Sequence, residues 1–457
     1  MKLDIIKLGI NGEGIGYLNR KPVFIPGAFP GETADAEIIE EKETYLRAKL
    51  KRILKKSPAR RLSPCPYSAS CGGCSLIEMN YADQLVQKKA LLTEALWKYG
   101  HVRDTFVRDI RPSAREFGYR SACKLPVQNQ DGITVTGMYK TGTNHFTAVD
   151  ACLLHDPKLE ALRRTVLAVM HEEQIPAYEN GHGLRYLIMR RIDPAVSIAL
   201  ITGKDNLPDS LIAKLSALPG VASIVQSVNT ARNSIGFFGS SSKVLYGEQT
   251  VSVDFCGFKI RLSAESFFQL NLAQAEEIYK TAVSKIDPCN VLAECYCGVG
   301  VMSIMAKDKA RKVYGFESVP QAIENAKQNA ADNRVPNTTF FCADAAEGLQ
   351  QLLKERDVDC LLADPPRAGM DDAMIDTILH SSIRKIIYVS CSPSTLGKNI
   401  RALKEAYEVR TVIPFDMFPN TPHVESVTVL TRRGTSDRSA PKRRRKPKSG
   451  STDNRRK

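Results

Sequence analysis

The chain has 457 residues, and 64 Lys and Arg against 50 Asp and Glu give it a net charge of +14, with 43 % of residues apolar and 25 % charged. These shares are ordinary for a folded protein, and the length exceeds what one hydrophobic core sustains, so several domains are expected. No run of about 18 apolar residues exists, which excludes a helical membrane span. The opening Met1–Lys7 mixes acid and base where an export signal needs an apolar stretch, so a cytoplasmic location is expected.

The charge is concentrated in two places. Arg47 to Arg61 holds eight basic residues and no acid, and Arg432 to Lys457 holds twelve basic residues and two acids. What remains is slightly acidic. Twelve cysteines in a reducing compartment read as metal ligands, nucleophiles or small core residues rather than disulfides.

Residues 1–58 read as short strands. Gly12, Gly14 and Gly16 punctuate a turn, Val23–Gly27 and Thr33–Ile39 follow, the basic Tyr45–Lys56 comes next, and Ser57-Pro58 closes the unit. The pattern predicts an OB-like barrel whose basic face meets RNA. Residues 59–262 read as a mixed α/β region that opens with a cysteine cluster. It contains a helix over Ala82–Tyr99, with Gly100 as its stop, and strands at Leu184–Ile192 and Val196–Thr202.

Over 263–433 strand and helix alternate. Strand Asn290–Cys295 runs into the turn Cys297-Gly298-Val299-Gly300, then helix Val301–Lys309, strand Lys312–Phe316, helix Pro320–Asp332 and strand Thr338–Cys342. Val358–Ala363 ends at Asp364-Pro365-Pro366-Arg367, Lys385–Ser390 ends at Cys391, and Val409–Phe415 with Ser426–Thr431 forms a closing hairpin. This predicts an α/β, doubly wound sheet with its ligands at the carboxyl ends of the strands. Residues 434–457, rich in Ser, Pro, Lys and Arg, are expected to be a disordered tail.

A glycine turn after the first strand, with an acid about 20 residues on, suits a nucleoside whose ribose the acid binds; Gly298, Gly300 and Glu317 fit. The turn lacks the third glycine of a pyrophosphate fingerprint. The rigid Asp364-Pro365-Pro366 places a carboxylate or carbonyl at the cofactor. Both features favour S-adenosylmethionine over a dinucleotide.

Methylation of a pyrimidine at carbon 5 requires a thiolate that adds to carbon 6 and a base that removes the carbon-5 proton. Cys391, at a strand end, suits the first role, and Glu425, just before the last strand, suits the second.

Five motifs then carry a resemblance: Phe267–Asn271, Tyr296–Gly300, Asp364–Arg367, Ser390–Pro393, and Asp416–Pro419 through Glu425. The chain resembles the bacterial RNA uracil-5-methyltransferases of the TrmA/RumA type, which have a class I (Rossmann-like) methyltransferase domain and an N-terminal TRAM domain. The likeness spans nearly everything except the tail. It implies that Gln269, Tyr296, Glu317 and Asp364 contact S-adenosylmethionine, that Cys391 is the nucleophile, and that Glu425 removes the proton. Glu294, Ser392 and Pro422 depart from the usual Asp, Asn and His.

Cys65, Cys71 and Cys74 lie five and two residues apart around Gly72-Gly73. The spacing indicates a metal site that needs a fourth ligand and leaves zinc and iron–sulfur both open. The resemblance implies a [4Fe–4S] cluster with Cys152 as fourth ligand, Cys123 being the rival. It also implies 23S ribosomal RNA as substrate, because the tRNA-specific branch usually lacks both cluster and TRAM domain. A flipped-out loop uridine and a monomeric enzyme are expected. The rival readings are a tRNA uracil-5 methyltransferase, an RNA cytosine-5 methyltransferase and a non-catalytic RNA-binding iron–sulfur protein.

Overall fold

A computed structural model describes residues 1–140, 142–231 and 236–434. The expected tail, from residue 435 on, lies outside the described residues.

The first unit is a barrel. Lys2–Asp4 pairs with Thr33–Glu41, while Lys7–Leu8, a few residues later, pairs with Gly14–Leu18. One segment thus joins both ends of a six-stranded sheet and curls it shut. Leu3, Ile5, Val23, Ile25, Ala34, Ala36, Leu46 and Ala48 fill it.

The basic strand Leu46–Lys55 turns Arg47, Lys49, Lys51, Arg52 and Lys55 outward, but they are not a free cationic face. Arg47, Lys51 and Arg52 sit beside Glu40, Glu37 and Asp35 of the neighbouring strand. Arg60 is tucked between Glu32 and Glu78, and Arg61 meets Glu116. Only Lys49, Lys55 and Lys56 of this run are exposed without an ion-pair partner among the described residues.

The central unit is a seven-stranded sheet built around Leu184–Ile192 and Ala195–Thr202. Helices Pro157–Glu172 and Asp209–Ser216 pack on one face over Leu187, Met189, Ile198 and Leu200.

The C-terminal sheet has strands β1 (Cys289–Cys295), β2 (Ala310–Glu317), β3 (Thr338–Cys342), β4 (Cys360–Ala363), β5 (Lys385–Ser390), β6 (Tyr407–Phe415) and β7 (Glu425–Arg432), in the order β3-β2-β1-β4-β5-β7-β6. β1 to β5 run parallel, and β7 is antiparallel to both its neighbours. β4 and β5 are unbroken apolar runs because they are covered on both faces. The helix after β1 is shorter than its pattern suggests, spanning Val301–Met305.

Two segments that the sequence groups with the central region pack on this sheet instead. Hairpin Thr250–Phe255/Phe258–Ser263 puts Val253, Phe255, Ile260 and Leu262 into its core. Helix Tyr81–Gly100 and the chain after it contribute Leu92, Leu96, Val102 and Val107 to the other face. Gly100 is not the helix stop. It is the last helical residue, and His101 takes the left-handed cap position at φ 53°. Gly100 is there for closeness: a Cβ on it would stand 3.0 Å from the Gly397 carbonyl oxygen, where helix Pro393–Leu403 crosses.

Candidate active site

The carboxyl ends of the parallel strands β2, β1, β4 and β5 lie side by side at one edge of the sheet. After β1 the chain reverses through Tyr296 (φ 65°), Gly298 (φ 53°) and Gly300 (φ 80°). Gly300 permits the turn to press against the core, since a Cβ there would lie 2.7 Å from the Phe340 ring. At Gly298 the same construction meets nothing within 4 Å, so bare backbone faces open space where a ligand can lie against it. Glu317, ending β2, accepts the Gly298 N–H at 3.3 Å and the Val319 N–H at 3.0 Å, which fixes its carboxylate across that space. Open backbone with a tethered acid beside it fits the nucleoside half of S-adenosylmethionine.

Asp364 follows β4, its N–H on the Cys295 carbonyl at 3.4 Å. Burial pushes its carboxyl up to about 7. Glu294, fully buried, takes a hydrogen bond from the Ser303 hydroxyl; burial pushes it up to about 8. Gln269, Asp364 and Glu294 all lie close enough to act on the Tyr279 phenol.

β5 and β7 pair antiparallel as far as Ser390 opposite Ser426. One further step in that register sets Cys391 opposite Glu425. Burial, then Glu425 and Asp364, push the Cys391 thiol up to about 11, while Arg367 pulls the other way. Glu425 is buried and pushed up to about 8 by burial and by Asp364, again opposed by Arg367. Nucleophile candidate, base candidate, Asp364 and Arg367 therefore form one electrostatic unit. The Arg367 guanidinium also donates to the His423 ring at 3.1 Å, and burial with this cation pushes His423 down to about 4, so it is neutral. Both residues lie within quoted motifs, yet a motif alone gives no hint that Arg367 is the shared counter-charge.

Cys65, Cys71, Cys74 and Cys152 line a single cavity together with Arg120, and Cys123 is not among its lining residues. Burial, followed by the charges of Cys152, Cys71 and Cys65, pushes Cys74 up to about 12. Among the described residues no three His, Cys, Asp or Glu side chains come together to hold a metal ion. The four sulfurs stand around a cavity instead, and the buried Arg120 Nε has no hydrogen-bond partner. Four thiols around one space are a donor set that a metal group with four sulfur ligands would suit.

Residues 80–433 match the family model described as tRNA (uracil-5-)-methyltransferase, and residues 1–51 match the TRAM domain. Relatives named as uncharacterized RNA methyltransferases include one from Bacillus anthracis, 34 % identical over 94 % of this chain and 96 % of its own length. Another, from Listeria innocua, is 33 % identical over 94 % and 97 %. A Pyrococcus abyssi tRNA (uracil-54, C5)-methyltransferase, solved with S-adenosyl-L-homocysteine, superposes with a TM-score of 0.75 at 24 % identity, covering 94 % of this chain and all of that one. The fold is the same.

Proposed function

The chain belongs to the tRNA (uracil-5-)-methyltransferase family, and from that premise we propose that it methylates carbon 5 of specific uridines in 23S ribosomal RNA through a Cys391 adduct resolved by Glu425. The family and the TRAM domain make it an S-adenosylmethionine-dependent RNA uracil-5-methyltransferase. The observation that carries the mechanism is that Cys391 and Glu425 adjoin the Ser390–Ser426 pair on neighbouring strands, with Arg367 acting on both.

Bound S-adenosylmethionine supplies an electrophilic methyl group, held by Gln269, Tyr296, Glu317 and Asp364. The Cys391 thiolate adds to carbon 6 of a flipped-out uracil, which makes carbon 5 nucleophilic toward that methyl. Glu425 then takes the carbon-5 proton, the 5,6 double bond re-forms and the thiolate leaves. A carboxyl raised to about 8 is a stronger base than an ordinary one, which suits removal of a carbon-bound proton.

Cys65, Cys71, Cys74 and Cys152 hold a [4Fe–4S] cluster in a structural role. That cavity, together with the barrel, supports ribosomal RNA over tRNA through the family pattern. The enzyme acts as a cytoplasmic monomer. Unmodified 23S rRNA and tRNA incubated with labelled S-adenosylmethionine test the substrate: 5-methyluridine in 23S rRNA is expected. Label confined to tRNA, or labelled 5-methylcytidine, overturns the choice. Glu425→Gln should trap a covalent RNA adduct that Cys391→Ala cannot form, and adduct-free loss in both removes the base assignment. Anaerobically purified protein should absorb near ~400 nm and contain iron; zinc without iron refutes the cluster.

A further inference from the structure

Glu425 is reached through the loop Asp416–Val424, and that loop is held mostly from outside its own sheet. Lys88 and Asp416 form an ion pair with both side chains fully buried, and the Lys88 ammonium also donates to the Phe418 carbonyl at 3.0 Å. Asn271 donates to the Met417 carbonyl at 3.0 Å, and the Tyr119 hydroxyl donates to that of Pro419 at 3.0 Å.

Asn420 is the most heavily bonded of the series. It is fully buried with φ 68°. Its N–H donates to Gln84 Oε1 at 2.8 Å, and its carbonyl accepts the Leu76 N–H at 3.0 Å. Its Oδ1 accepts from Gln84 Nε2 and from Arg61 Nη2, each at 3.1 Å, and its Nδ2 donates to the Glu116 carbonyl at 3.2 Å.

The partners lead to the cysteine loop. Leu76 lies two residues after Cys74, in a turn where the Ile77 N–H donates to the Cys74 carbonyl at 3.3 Å. Gln84 Nε2 also donates to the Leu76 and Met79 carbonyls, and Arg61 Nε donates to that of Ile77 at 2.8 Å. Asn420 is therefore joined to the segment after Cys74 by one direct backbone bond and two side-chain bridges.

We propose that Asn420 is a positioning residue for proton removal, locking the loop that carries Glu425 to the loop that carries Cys74. The proposal rests on the covalent mechanism above. Asn420 is fully buried, away from any surface that RNA could reach. Cys391, just after β5, and the glycine turn after β1 do not depend on its bonds. Loosening it leaves thiolate addition and methyl transfer intact. The Cys391 Sγ–C6 bond and the new C5–CH3 bond still form, with S-adenosylhomocysteine released. The last step suffers, because the carbon-5 proton must reach Glu425 before the electron pair can re-form the 5,6 double bond and expel the thiolate.

The test compares full-length wild type, Glu425→Gln, Asn420→Gly and Gln84→Met on the RNA the enzyme methylates. Glycine keeps the left-handed backbone and removes the amide; methionine keeps the length of Gln84 and removes its bonds to Asn420. Single-turnover S-adenosylhomocysteine formation should stay within about twofold of wild type in Asn420→Gly and Gln84→Met, while release of free methylated RNA falls about tenfold, or about 1.4 kcal/mol in barrier. Methylated RNA–protein adduct then accumulates on denaturing gels. Equal slowing of both steps, or normal release, overturns the proposal. Glu425→Gln separates the two failures. If it traps no adduct, the covalent reading itself falls; if it traps adduct and the other two variants do not, only the role of Asn420 falls.

Discussion

Alkylation of Cys391 by iodoacetamide in the RNA-free protein should be slow at neutral pH and should carry the titration of its neighbours. With the thiol pushed up to about 11 by burial, Glu425 and Asp364, about 3 molecules in 100 hold a thiolate at pH 9.5, where both carboxyls are ionised, against about 9 in 10 for a cysteine of ordinary pKa 8.5. An isolated thiol far below its pKa gains reactivity tenfold per pH unit. Here Asp364 ionises around 7 and Glu425 around 8, each adding a negative charge beside the sulfur. The rise should therefore be shallower than tenfold per unit between pH 6.5 and 8.5 and should return to tenfold above. Glu425→Gln removes the later of these charges. It should match wild type at pH 6.5, where Glu425 is neutral anyway, and alkylate faster above pH 8.5; each unit of lowered thiol pKa is worth tenfold. Peptide mass spectrometry follows Cys391 apart from the other cysteines, with Cys391→Ser as blank. A wild-type midpoint near 8.5, or coincident profiles at pH 9.5, would refute the electrostatic unit.

Gly300→Ala combines φ 80° with a Cβ 2.7 Å from Phe340; a strain of about 1–3 kcal/mol should weaken S-adenosylmethionine binding about tenfold or more by calorimetry. Lys88→Met leaves Asp416 buried without its cation, and chemical denaturation should show a loss of about 3–5 kcal/mol, much of it restored when Asp416→Leu is added. Converting Lys49, Lys55 and Lys56 to Gln should reduce the slope of log affinity against log salt by about 2 for single-stranded RNA. The same change at Arg60 should cost stability instead, because that guanidinium sits between Glu32 and Glu78.

The alternation from β1 to β5 could be read from the sequence because the central strands β4 and β5 bury both faces, so that Leu361-Leu362-Ala363 and Ile386-Ile387 stand out as apolar runs and the polar residues that end them fall at one edge. That same logic brought Glu317, Asp364 and Cys391 to notice. Reading failed where the deciding partner is distant in the chain. Gly100 reads as a helix stop until Gly397 is seen across a helix crossing. Arg60 and Arg61 read as part of an RNA-binding run because their acids, Glu32, Glu78 and Glu116, lie outside it. A count of charge registers cations; it does not register which are already matched.

The segment before Glu425 shows what that difference means for catalysis. Asp416-Met417-Phe418-Pro419 looks like a local loop motif, to be explained by its own turn. Yet Asp416 is matched by Lys88, the carbonyls of Met417, Phe418 and Pro419 by Asn271, Lys88 and Tyr119, and Asn420 by Leu76, Gln84, Arg61 and Glu116. Nearly all of these partners come from residues 61–119. A methyltransferase sheet folded without them would still present Cys391 at the end of β5, but most of the bonds that fix the approach to β7 would be gone. The central region is thus part of what holds the loop before Glu425 in place. Isolated residues 263–433 should bind S-adenosylmethionine poorly or not at all if hairpin Thr250–Phe255/Phe258–Ser263 is needed for the core. A fragment from 250 to 434 that regains binding but releases no methylated RNA would place the remaining requirement on residues 61–119.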